Sequence, residues 1–162
     1  MIWPNRGNDR AARQYDRAIS QFRAVADTEP QFARVHMVAL AYTQQGRFDE
    51  AIADLDSSQQ DLEGFWAWNM RAYVCGRAGH RAEAKHAVGE LMRLDRHGAI
   101  DPIVFVAPSI GMNDRDQAFA WLEKSVAAHS PGLTALKVDP IYDPLRSDPR
   151  YQDLLRRVGL AQ

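Results

Sequence analysis

The residue types best suited to metal chemistry in this chain are His80, Glu83 and His86. Glu83 and His86 stand three residues apart and share one helix face, as in half of a carboxylate-bridged di-iron site. Such a site needs a second Glu-x-x-His and two further glutamates, and none is visible. Solvated helix surface is the reading left for the trio. Asp54, Asp56 and Ser58 begin with the spacing of a calcium loop, but Gln59 stands where glycine is required and Phe65 where a bidentate acid is required. Cys75 sits among apolar neighbours with no histidine partner, which predicts a buried thiol rather than a nucleophile. His36, His97 and His129 are isolated from one another. There is no Gly-x-Ser-x-Gly elbow, no phosphate-cradling glycine loop and no His-Glu-x-x-His. The expectation is a non-enzyme with no catalytic residues, no metal and no cofactor.

Composition narrows the partners. The 162 residues carry 20 Lys+Arg against 21 Asp+Glu, a formal net charge of −1, so the broad basic field of a nucleic-acid binder is missing. A single cysteine excludes an intramolecular disulfide and any cysteine-clustered zinc site. The longest uncharged apolar stretch, residues 102–113, contains Pro108 and Gly111 and falls far short of the roughly 20 residues that span a bilayer. The first ten residues lack the apolar core of a signal peptide. These features predict a cytoplasmic protein that engages neither nucleic acid nor membrane.

The elements that hold these residues follow from an internal repeat. Ala18, Ala51, Ala84 and Ala118 recur at spacings of 33, 33 and 34 residues. The last three follow a turn signal: Gln45-Gly46-Arg47, Ala78-Gly79-His80 and Met112-Asn113-Asp114. Four residues beyond each alanine stands an apolar side chain: Phe22, Leu55, Val88 and Leu122. A small residue there lets two helices approach, and glycine or asparagine supplies the left-handed backbone that ends the first of them. Tyr42, Val38 and Ala39 fall at helical spacing toward the following helix. The period predicts helices near 15–28, 31–45, 48–60, 64–78, 81–95, 101–112 and 114–128, with Pro108 kinking the sixth. A short strand over the β-branched run 103–106 is the lesser alternative.

This layout resembles the tetratricopeptide repeat family, each unit of which is two antiparallel helices. The resemblance covers about residues 15–130, and Pro30 ends the first unit in the family's manner. It implies an all-α fold, a right-handed superhelix of antiparallel helix pairs closed by a C-terminal capping helix. The expected division is about three and a half units over residues 1–130 and a capping segment over 131–162. The segment 136–160, together with the helix before it, is also similar to the end of such repeat regions in multidomain bacterial cyclases, kinases and winged-helix regulators. There the repeats are the non-catalytic sensory or interaction part.

For function the resemblance implies binding of a protein or peptide in a concave groove lined by the first helix of each unit. Trp68 takes the family's aromatic packing position. Trp66, about 200° further round the helix, is expected to face the groove or solvent, with packing on the neighbouring unit as the alternative. Asn69, Tyr73 and Arg77 extend its stripe, and Ala33, His36, Leu40 and Gln44 line the same groove from the preceding unit. The lysines of a carboxylate clamp are missing. The first helix of the first unit would occupy residues 1–12, which hold little apolar material beyond Ile2 and Trp3. Either that helix belongs to something absent from this chain, or a partner covers Ala18, Phe22 and Val25; homodimerisation through Phe22 and Val25 is the second reading. At the far end, Asp139-Pro140 and Asp148-Pro149 read as helix N-caps with proline in the first turn, and Gly159 as a stop. Capping is preferred over a ligand site in Asp143, Arg146, Asp148 and Arg150.

Overall fold

The computed structural model describes residues 9–28, 34–57 and 64–160, with side chains over 14–24, 37–57 and 64–160. The described elements are all helical: α1 (Asp9–Thr28), α2 (Arg34–Gln45), α3 (Phe48–Ser57), α4 (Phe65–Ala78), α5 (Arg81–Leu94), α6 (Val106–Gly111), α7 (Arg115–Ala127) and α8 (Pro149–Arg157). Three 3-10 turns, Pro102–Phe105, Pro131–Ala135 and Pro140–Leu145, fill the intervals around α6 and α8.

Three hairpins, α2–α3, α4–α5 and α6–α7, turn by one device. Gly46, Gly79 and Asn113 carry φ of 78°, 86° and 60°. The next amide then reaches the carbonyl five residues back: Arg47 to Tyr42 at 2.9 Å, His80 to Cys75 at 2.9 Å and Asp114 to Ser109 at 2.9 Å. The same bond closes α7 (Ser130 to Ser125, 3.0 Å) and α8 (Leu160 to Leu155, 2.8 Å). In the first turn of the helix after each hairpin turn comes the repeat alanine, and Ala51, Ala84 and Ala118 are all wholly buried. Ala18 is partly exposed.

Two sequence expectations shift. The helix expected over 101–112 is a 3-10 turn running into α6, and the strand alternative over 103–106 is not formed. The cause is Pro108: it has no amide to offer the carbonyl of Val104, so the preceding turn tightens. The second helix of the first unit begins at Asp9, taking in part of the stretch assigned to a preceding helix; residues 1–8 and Pro30 lie outside the described residues.

One apolar core runs from Tyr15 and Ile19 through Val38, Ala51, Tyr73, Ile110 and Leu122 to Leu145, Tyr151 and Leu154. A smaller cluster of Leu91, Val104 and Phe105 is flanked by Phe65, Trp68 and Trp121, the last stacked on Phe105 at 4.5 Å.

Candidate protein-interaction surface

The α4 stripe does not stand open along its length. Trp66 is 50% exposed, but Asn69 and Tyr73 are 2% and 0% exposed. Leu40 and Gln44 on α2 are buried too, and the side chains of His36 and Ala33 lie outside the described residues. The expectation that Leu40, Gln44, Asn69 and Tyr73 line an open groove outside the core is therefore corrected. The burial of Asn69 and Tyr73 follows from how closely α4 meets α6. A Cβ on Gly76 would sit 2.6 Å from the carbonyl carbon of Gly111, and one on Gly111 would sit 2.6 Å from the backbone carbonyl oxygen of Tyr73. Only a glycine pair lets two backbones touch in this way.

The buried polar groups have defined tasks. Asn69 Nδ2 donates to the carbonyl of Val104, the group left without an amide four residues on by Pro108. The Tyr73 hydroxyl accepts from Gln44 Nε2 at 3.1 Å and from Arg77 Nη1 at 3.3 Å, joining α2 to α4 and holding the Arg77 guanidinium. Arg77 itself is half-buried. What remains accessible is Trp66 at one end of the stripe and Arg77 at the other. Eleven residues separate them, about 16 Å and just over three full turns, so both lie on one face.

The metal candidates do not assemble. His80, Glu83 and His86 are exposed, His86 meets Trp68 edge-on at 5.7 Å, and no three metal-ligating side chains converge among the described residues. Asp56 is ion-paired with Arg71 at 2.6 Å, and Ser58 is outside the described residues. Cys75 is buried, and desolvation pushes its thiol pKa up, away from the reactive thiolate. In the C-terminal quartet, Arg146 binds Asp143 at 2.6 Å while Arg150 binds Asp148 and Asp116, each at 2.8 Å. A hollow lined by Arg81, Lys85, Val88, Met112 and Asp114 was not foreseen. Its one sequence signal was two cations four residues apart on a predicted helix.

Helix pairs stacked at this period, with a small residue at each crossing, match what a comparison of sequences finds. The family model described as tetratricopeptide repeat matches residues 35–59, which span α2, its glycine turn and α3. The chain carries a tetratricopeptide repeat. Repeats of this family generally mediate protein–protein interaction and are generally non-catalytic. No curated protein and no solved structure matches the chain. Among the described residues of this repeat protein, no helix is long and apolar enough to cross a membrane.

Proposed function

We propose that the protein is a non-enzymatic adaptor that binds a peptide segment of another protein along α4, between Trp66 and Arg77. The observation that carries this is a tryptophan, Trp66, left half exposed on the same helix face as a guanidinium held in place from beneath. Tryptophan and arginine dominate the energetics of protein interfaces, and a pre-set side chain loses less entropy on binding. Tyr73 and Asn69 serve as support: Tyr73 fixes Arg77, and Asn69 fixes the neighbouring turn.

The test is a comparison of the wild type with Trp66→Ala plus Arg77→Ala as bait for partners from native cells, followed by calorimetry on whatever is captured. The dissociation constant is expected to rise at least about tenfold, near 1.4 kcal/mol, with an unchanged circular dichroism spectrum. Equal affinity would place the site elsewhere.

A second reading is favoured by α1. The alanine that is wholly buried in the other three positions is partly exposed at Ala18, and Phe22 beside it is only half-buried. A second copy packed on this face would complete the first unit; the side chain of Val25, the other residue assigned to that contact, lies outside the described ones. Light scattering should then show a dimer that Phe22→Glu converts to monomer. A monomeric wild type at high concentration removes this reading.

A further inference from the structure

A hollow of about 310 Å³ opens between the start of α5 and the turn joining α6 to α7. That is the lower end of the range for ligand pockets, room for one or two side chains rather than a whole cofactor. Val88 and Met112 are half-buried and form its apolar floor, while Arg81 and Lys85 stand exposed at its rim. The two cations are four residues apart on α5, about 6 Å along one helix face.

Arg81 and Lys85 are not held in ion pairs or side-chain hydrogen bonds among the described residues. The carboxylate at the rim, Asp114, caps its own helix by accepting from the Gln117 amide at 3.0 Å. Asp116 is held by Arg150 at 2.8 Å. Glu83 lies between the cations in sequence but about 200° round the helix from each. Elsewhere, Arg47, Arg71, Arg93, Arg146, Arg150, Arg156 and Arg157 are ion-paired, and Lys124 lies over Trp121 at 3.9 Å.

We propose that this hollow docks an acidic amphipathic helix of a partner protein. One apolar side chain of that helix seats against Val88 and Met112. Two of its carboxylates, four residues apart, meet Arg81 and Lys85, since that spacing on a partner helix matches the spacing on α5. The hollow is lined by α5 and the turn joining α6 to α7 and by none of the α4 residues assigned above, so the two sites stand or fall separately.

The probe is a short acetylated helical peptide with leucines on one face and glutamates four residues apart beside them, titrated into the full-length ¹⁵N-labelled protein. Saturable amide shifts are expected at Arg81, Lys85, Val88 and Met112. Arg81→Glu plus Lys85→Glu should weaken binding at least about tenfold with an unchanged circular dichroism spectrum, and raising the salt should weaken it as well. Trp66→Ala plus Arg77→Ala should leave it intact. The proposal is overturned by no saturable shift, by shifts centred on Trp66 and Arg77, or by equal affinity of the glutamine version of the peptide. Equally tight binding of a single-stranded oligonucleotide to the same residues would also overturn it, because a phosphate site would then explain the charge.

Discussion

Asn69 shows how a residue with the chemistry of a binding site can be committed to the fold. Its amide answers the Val104 carbonyl that Pro108 leaves without a helical donor, and a buried carbonyl stripped of its partner costs about 1–3 kcal/mol. Asn69→Ala should lower stability by that amount in urea unfolding. The loss should shrink in a Pro108→Ala background, where residue 108 regains an amide that can reach Val104. Equal losses in both backgrounds would show that the two residues do not share this carbonyl. The two Asp-Pro caps make a second pair. Asp148 is held at about 2, first by the Arg150 side chain and then by the Arg150 amide. Its contribution to stability is therefore present above the ordinary aspartate pKa and lost as pH falls toward 2. Burial moves Asp139 the other way, upward, with the Ile141 amide opposing in part. That group favours the folded state at low pH and loses the advantage as pH rises. In thermal melts at pH 7, Asp148→Asn should lower the midpoint, whereas Asp139→Asn, which keeps an acceptor for the Ile141 amide without the buried charge, should hold or raise it. Both differences should fade on acidification.

At the scale of elements, the turns and the crossings within a helix pair were legible, and the contacts between pairs were not. Gly46, Gly79 and Asn113 announced left-handed positions because few other residues adopt them cheaply, and the repeat alanines announced close crossings between the helices of a pair. The helix over Phe65–Ala78 places Trp66 and Arg77 on one face by its spacing alone. What a periodic pattern does not encode is the distance to the next unit. Gly76 and Gly111 lie 35 residues apart, and each alone reads as an ordinary helix interruption. Together they bring α4 and α6 into backbone contact and shut Asn69 and Tyr73 inside. Gly76→Ala should therefore cost about 3 kcal/mol, at the top of the range for overpacking, since no rotamer relieves a clash with backbone. Gly89→Ala is the matched control. It is exposed in mid-α5 with nothing within 4 Å of the added carbon, so it should stabilise by about 0.5–1 kcal/mol. If both substitutions behave alike in chemical denaturation, the close approach of α4 and α6 is wrong.

For the whole molecule, the question is what ends the stack. A repeat array leaves an apolar side bare at its last unit unless something covers it. Here Ile110, Phe119 and Leu122 share a core with Leu136, Ile141, Leu145, Tyr151 and Leu154. Polar bonds pin that cover in place: the Tyr151 hydroxyl donates to the Leu136 carbonyl at 2.6 Å, and Arg157 grips Glu123 at 2.6 and 2.9 Å. We propose on this ground that residues 131–162 are a terminal cap, inseparable from α6 and α7, and not an independent appendage. The contributions should rank by burial. Arg157→Ala, removing an exposed pair, should cost less than about 1 kcal/mol. Tyr151→Phe leaves a buried carbonyl unanswered and should cost about 1–3 kcal/mol. Truncation after His129 strips the apolar face entirely, so the shortened chain should self-associate and lose its cooperative melt. A truncated chain that stays monomeric and melts as sharply as the full one would show that the repeats end at α7 without a cap.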